Sequence, residues 1–232
     1  MTPISTAIQQ AVDRIRQANH VLVLTHQRPD YDAVCSALAL TYVLQGLGKK
    51  ADFVAPDISL EEYTFLPGSN LITHTIERNH DLIVRVTGSH GKIGKINYTK
   101  NDQGGIDLVL TPDEGKIHPE DVTVRGGGFP HDLIVVLDTS TVARIGVDPV
   151  LSKELREALP LIKIDHHVTK DDFGTVNFVD TTATATSELL VSLFEALGTQ
   201  VITEDVATLL LAGILTDTDR FQTSNTTPKS LT

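Results

Sequence analysis

The chain has 232 residues, 41% hydrophobic and 21% charged, with 19 Lys and Arg against 30 Asp and Glu and a formal net charge of −11. That is enough chain for one sizeable core, and the acidic balance excludes a broad basic surface for long duplex nucleic acid. No apolar stretch approaches the roughly 18 residues of a membrane span, no signal peptide is visible at the N-terminus, and the single Cys35 suits a reducing, cytoplasmic location.

Ile8, Val12 and Ile15 recur at helical spacing, so residues 5–19 form a helix with Ser5 or Thr6 as N-cap. Val21-Leu22-Val23-Leu24 reads as a buried parallel strand: short, rich in β-branched residues and without alternation. It opens into Thr25-His26-Gln27-Arg28-Pro29-Asp30-Tyr31-Asp32. Residues 33–47 form a second helix closed by Gly48, and 51–55 a short strand. This order predicts a parallel sheet with right-handed crossovers. A short helix over 61–66 ends at Pro67-Gly68.

Residues 81–128 break the pattern. Segments 82–87, 95–100, 105–110 and 122–125 read as short strands, with a turn at 101–104. They form an antiparallel β insertion, left through Gly126-Gly127-Gly128. It would serve as a homodimer surface, a lid or a neutral decoration.

Leu133-Ile134-Val135-Val136-Leu137 is another buried strand and stops at Asp138. A helix over 152–158 ends at Pro160, and Leu161-Ile162-Lys163-Ile164 runs into Asp165-His166-His167. An edge strand over 175–179 and a helix over 184–197 follow. Thr203 caps a last full helix, whose apolar pattern from Val206 to Leu215 runs into Thr216-Asp217-Thr218-Asp219. Thr227-Pro228 has the form of a further helix start, which suggests a truncated or unusually minimal chain.

The fold class is therefore α/β: an open, mainly parallel sheet with helices on both faces and an antiparallel β insertion. Carboxylates and imidazoles gathered where several strands end point to a site, because ligands bind there in open α/β sheets. His26, Asp30, Asp32, Asp138, Asp165, His166, His167 and Asp217 offer oxygen and nitrogen but no thiolate. That argues against structural zinc and suits Mn²⁺ best, with Mg²⁺, Co²⁺ or Fe²⁺ as alternatives. Six or more ligands exceed what one ion needs and point to two divalent metal ions, about 3.5–4 Å apart, that clamp both oxygens of a phosphoryl displacement.

Each residue also has a plainer role open to it. His26 would cap a strand, Asp32 the helix over 33–47, and Asp138 an Asx-turn. Cys35 reads as a small core residue, and Asp171-Asp172 as a solvated turn. His131 and Asp132 precede a strand, on the wrong side of the sheet for the site, and read as structural.

Four segments, "THQRPDYDA", "VVLDTS", "IDHHVTKDDFGTVNFVDTTATATSELL" and "AGILTDTDRFQTSNTT", resemble in order the motifs of the DHH phosphoesterase superfamily. They cover nearly the whole chain outside the insertion, and are most similar to the bacterial branch of nanoRNases, 3′-phosphoadenosine-5′-phosphate phosphatases and dinucleotide phosphodiesterases. The resemblance implies that residues 1–232 are a Rossmann-like catalytic domain. It implies that His26 and Asp30 hold one metal, that Asp32, His166 and Asp217 hold the other, and that Asp138 bridges. His167 would face the substrate phosphate, as a hydrogen-bond donor or general acid to the leaving oxygen, and Asp165 would orient an imidazole. Arg28 and Arg220 would neutralise phosphate oxygens, or remain solvated loop charges.

The implied activity is hydrolysis of phosphodiester or phosphomonoester bonds in short nucleotides (short oligoribonucleotides, pApA, pAp) by metal-bound hydroxide. A phosphoanhydride hydrolase acting on pyrophosphate or polyphosphate, and a nucleotide-binding module without turnover, are the alternatives. No membrane partner is expected. Two departures stand out: Asp219 occupies a position where the family usually has Gly, and the family's C-terminal substrate-binding lobe is absent from these residues.

Overall fold

The computed structural model describes residues 3–100, 102–168, 171–224 and 226–231. Two compact units emerge, Met1–Glu77 with Phe129–Thr232, and Arg78–Gly128. In chain order the first unit begins with α1 (Pro3–Gln17), β1 (His20–Leu24), α2 (Tyr31–Gly46), β2 (Lys50–Val54) and β3 (Ile72–Thr73). The second holds β4 (Leu82–Val86), β5 (Gly91–Lys100), β6 (Ile106–Gly115) and β7 (Val122–Gly126). The first then resumes with β8 (Leu133–Leu137), α3 (Pro149–Ala158), β9 (Leu161–Asp165), β10 (Val176–Val179), α4 (Thr186–Leu197) and α5 (Glu204–Asp217).

The first unit carries a six-stranded sheet in the order β10-β9-β8-β1-β2-β3, parallel throughout. From β1 the chain steps outward to β2 and β3, then crosses to the other side of β1 for β8, β9 and β10. Strand order thus reverses between β1 and β8, and a crevice opens at the C-terminal ends there.

The unbroken apolar character of β1, β8 and β9 follows from cover on both faces. Val21, Val23, Leu133, Val135, Leu137, Ile162 and Ile164 join a core with α1, α2, α4 and α5. Their neighbours Leu22, Leu24, Ile134, Val136 and Leu161 pack with Leu151 and Leu155 of α3 on the opposite face. Each such burial contributes about 1.5–3 kcal/mol. The same registers fix the site. Leu24 pairs with Val136 and Leu137 with Ile164, so continuing the pairings past the strand ends sets His26 level with Asp138, and Asp138 level with Asp165.

Several boundaries move. The N-cap of α2 is Asp30, whose carboxylate accepts the Ala33 N–H at 3.0 Å, so Asp32 is not the cap but a buried residue of the first turn. α3 starts earlier than expected because Asp148 caps it and Pro149 fills the first helical position. Thr203 caps α5 through the Val206 N–H, as expected. The helix expected over 61–66 is a short 3₁₀ turn, Leu60–Tyr63. Thr227 and Pro228 precede only a 3₁₀ turn, Lys229–Leu231. Asp171 is no solvated turn: its carboxylate accepts the Val142 N–H at 3.0 Å and its carbonyl the Lys163 ammonium at 3.0 Å.

In the second unit β4 pairs antiparallel with β7, and β5 with β6. Of the expected turn at 101–104, Asn101 lies outside the described residues, and Gly104 has φ +79°. Buried Asp121 accepts His90 Nδ1 at 2.8 Å and the His118 N–H at 2.9 Å. Among the described residues no helix is long and apolar enough to cross a membrane.

Candidate metal centre

His26 leaves β1 under tight control. It forms an antiparallel bridge with Ile145, flanked by Gln27 N–H to Arg144 O and Gly146 N–H to Thr25 O, both 2.8 Å. A Cβ on Gly146 would lie 3.0 Å from the Thr25 and His26 carbonyl oxygens, tighter than most side-chain contacts, so glycine eases the clamp. His26 Nδ1 is 2.8 Å from the Gln27 carbonyl, which makes it the donor nitrogen and frees Nε2. Nε2 stands 3.5 Å from Asp138 Oδ2 and 3.8 Å from Asp30 Oδ2. Asp30 therefore caps α2 with one oxygen and faces His26 with the other.

Asp32 is seated by two other helices. Its carboxylate accepts the Thr186 N–H at 2.7 Å and the Ser187 N–H at 3.1 Å, both in the first turn of α4, where the helix dipole favours an anion. On α5, a Cβ on Gly213 would run into Ser187 Oγ and come within 2.6 Å of Asp32 Oδ1. Only glycine lets the two helices close on this carboxylate.

Asp138 ends β8 at φ +51°, a left-handed conformation that costs energy in a non-glycine residue. Its carboxylate accepts Thr186 Oγ1–H at 2.9 Å. His166 Nε2 lies 3.5 Å from Asp138 Oδ1 and 3.4 Å from Asp217 Oδ2, Asp217 being the last residue of α5. His167 Nδ1 lies 2.7 Å from Asp165 Oδ1. Behind Asp165 stands Lys163, buried in β9, whose ammonium is 3.3 Å from Asp165 Oδ2 and donates to the Ser140 and Asp171 carbonyls.

Three overlapping donor sets result: His26–Asp30–Asp138, Asp32–His166–Asp217 and Asp138–His166–His167, each with one ligand atom per residue within 4.8 Å of the others. Ligands bound at about 2.0–2.2 Å around one ion stand roughly 3.0–3.5 Å apart. Separations of 3.4–3.8 Å between His26, His166 and their carboxylates are close to that spacing and longer than good hydrogen bonds. The residues present fit hard or borderline divalent cations.

The electrostatics express the same crowding. Burial disfavours a charged His26, but Asp138 and Asp30 overcome it and lift its pKa to about 10. His166, likewise opposed by burial, is raised to about 9 by Asp138 and Asp217. Burial and then the Asp138 charge push Asp32 up to about 7 against the helix N–H bonds that hold its anion. Asp138 goes the other way: burial alone would raise it, and His166 and His26 hold it well below the usual carboxylate range. His167 is raised chiefly by its bond to Asp165. The Cys35 thiol, buried first and then facing the Asp32 and Asp30 charges, is pushed up to about 12 and stays inert.

The family model for the N-terminal domain of the DHH family matches residues 20–214. The chain belongs to the DHH family. It is 29% identical over 212 residues to the bifunctional oligoribonuclease and PAP phosphatase NrnA of Thermus thermophilus, covering 91% of this chain and 47% of that protein. The Bacillus subtilis protein of the same description is 36% identical over 102 residues, or 43% of this chain and 31% of that protein. The cyclic-di-AMP phosphodiesterase PdeA of Listeria monocytogenes is 26% identical over 226 residues, covering 94% of this chain and 27% of that protein. The chain thus spans less than half the length of these relatives. The crystal structure of an exopolyphosphatase-related protein from Bacteroides fragilis superposes with a TM-score of 0.67 at 18% identity, over 97% of this chain and 54% of that one, which establishes the α/β fold.

Within this DHH domain the structure brings His26, Asp30, Asp32, Asp138, His166, His167 and Asp217 together, with Asp165 behind His167. Arg28 and Arg220 are exposed, with φ of +50° and +61°. Asp219 has φ +44° and pairs with Arg220 at 3.2 Å rather than joining any donor set. Asp tolerates a left-handed backbone better than most residues. Sequence reasoning gave no role to Lys163, Thr186, Ser187 or Gly213. The one available signal was a lysine inside an otherwise apolar buried strand.

Proposed function

We propose that this DHH domain is a divalent-metal phosphohydrolase that cleaves phosphodiester or phosphomonoester bonds of short nucleotides. The supporting observation is the convergence of three imidazoles and four carboxylates at the switch point of the sheet, in a chain whose relatives are named as oligoribonucleases, PAP phosphatases and a cyclic dinucleotide phosphodiesterase. In this reading His26 and Asp30 would hold one ion, Asp32, His166 and Asp217 would hold the second, and Asp138 would be shared between them. Mixed carboxylate and imidazole donors suit Mn²⁺. Two such ions would supply Lewis acidity toward the phosphoryl oxygens and would lower the pKa of a water so that it ionises to a nucleophile near neutral pH.

The chain's own residues do the rest. His167 first and Lys163 second hold Asp165 ionised against its burial, and Asp165 fixes the His167 ring through Nδ1. The bond to Asp165 raises the His167 pKa, which favours a ring that carries Nε2–H toward the leaving oxygen. Arg28 and Arg220 meet phosphate oxygens from the rim. A free, buried Cys35 suits a reducing, cytoplasmic setting.

An aromatic surface beside the donors favours nucleotides over pyrophosphate. Tyr31, between Asp30 and Asp32 in the chain, has its ring 5.1 Å from Tyr63 and 6.1 Å from Phe65. The Tyr63 hydroxyl donates to the Pro29 carbonyl at 3.0 Å, and Phe65 is 70% exposed. A base stacks on such a surface, and pyrophosphate gains nothing from it. Mn²⁺-dependent hydrolysis of pApA, pAp and pyrophosphate, with a metal count on the same preparation, tests the reading. Turnover of pApA or pAp with about two ions bound is expected. Hydrolysis of pyrophosphate alone would make the chain a phosphoanhydride hydrolase, and bound ions without any turnover would leave a nucleotide-binding module.

A further inference from the structure

A separate cluster of the same residue types lies at the opposite edge of the sheet. His20 opens β1, Asp52 lies within β2, and His131 lies two residues before β8, so the three come from neighbouring chain segments on either side of β1. His26 lies beyond the far end of β1, about 20 Å along the chain at roughly 3.3 Å per residue. The cluster is therefore no part of the centre described above.

His20 Nε2 stands 2.7 Å and His131 Nε2 2.9 Å from one and the same oxygen, Asp52 Oδ2, with the ring centroids 4.4 Å apart. One ligand atom from each residue lies within 4.8 Å of the others. We propose that His20, Asp52 and His131 form a second cation site that takes one zinc-class ion, Zn²⁺ or its neighbours Co²⁺ and Ni²⁺. Two imidazoles and one carboxylate, with a fourth position left open, are a zinc donor set, and borderline nitrogen donors select these ions over Mg²⁺.

The local chemistry supports ligation. Metal binding needs neutral imidazole. His131 is 3% exposed, and burial lowers its pKa in spite of Asp52. His20 is held in place from behind: the Asp132 carboxylate accepts the His20 N–H at 3.0 Å and the Asn19 N–H at 2.9 Å. That neighbour is occupied as a brace, and Asp52 is the carboxylate that faces both rings. A groove of about 610 Å³ lined by Asn19, His20, Lys49, Lys50 and Pro130 gives an ion a route to His20. The two imidazole nitrogens must move away from the shared oxygen by roughly half an ångström to reach zinc spacing, and Asp52 is exposed enough to move. A bound ion would tie β2, β1 and the entry to β8 together and raise stability by mass action.

The test is a zinc count. Metal-free protein is dialysed against Zn²⁺, and zinc per chain is measured for the wild type, His20→Gln, Asp52→Asn and His131→Gln. The wild type should hold one zinc more than His20→Gln and Asp52→Asn. Zinc should raise its melting temperature more than theirs, while Mn²⁺ binding is the same in all. His131 is buried and its variant carries a folding risk, but His20 and Asp52 sit near the surface and keep the test decisive. Equal zinc in the wild type and in both of those variants would overturn the proposal. Turnover is not the readout, so the outcome stands apart from the phosphohydrolase reading.

Discussion

At the C-terminal edge of the sheet, His26 and His166 stand 3.4–3.8 Å from the carboxylates they face; at the N-terminal edge, His20 and His131 stand 2.7 and 2.9 Å from one oxygen. The first spacing leaves charges that only partly satisfy one another. The second is an ordinary hydrogen-bond length. Backbone strain divides the same way: Arg28, Asp138, Asp219, Arg220 and Phe221, all with positive φ, flank the C-terminal edge. Strain of this kind persists where the surrounding structure over-determines it, here through the Ile145 bridge and the N-terminus of α4. Identical residue types thus form a pre-spaced centre at one edge and a hydrogen-bonded cluster, closed until an ion spreads it, at the other.

Substitution of the shared carboxylate should separate the two edges most widely. Asp138→Ala is expected to lower turnover by about 10³-fold, whereas Asp52→Asn leaves it within about twofold. Equal losses, measured as kcat/KM on pApA, would break the comparison. Lys163→Met should come next: it leaves buried Asp165 with His167 as its remaining partner, and should cost about 3 kcal/mol in denaturant unfolding. An unchanged midpoint would mean that Lys163 matters for packing alone.

A smaller effect is expected at the aromatic surface. Phe65→Ala should raise KM for pApA about tenfold, with kcat and pyrophosphate binding unchanged. Equal changes for both ligands would remove base stacking from the account. The mildest test is pH. His26 and His166 titrate at about 10 and 9 in the fold against 6.5 unfolded, so their contribution is fully present below about 6.5 and is lost as pH rises through 9 and 10. Asp32, raised from 3.8 to about 7, adds a loss over lower pH, in the same direction. Metal-free protein should therefore melt progressively lower from pH 6.5 to 10, and saturating Mn²⁺, replacing those protons, should flatten the slope. Parallel slopes with and without Mn²⁺ would mean that ions and protons do not compete there.

Much of the fold was legible because its signals are local. Unbroken β-branched runs marked β1, β8 and β9, Thr203 and Gly48 marked helix ends, and 81–128 stood out by lacking a helical period. What escaped was set by partners far along the chain. Asp32 has the sequence context of an N-cap, yet α4, more than 150 residues on, claims its carboxylate. Asp171 has the context of a solvated turn, yet Val142 and Lys163 occupy it.

The sequence by itself determined the element types, the parallel sheet, the family and the residue types at the C-terminal edge, because periodicity, caps and motif spacing are properties of neighbouring residues. Only the tertiary structure decided which carboxylate caps and which is buried, why Gly213 must lack a side chain, and that Asp52 comes between His20 and His131. Those outcomes depend on strand order and register, which bring together side chains that no local pattern connects.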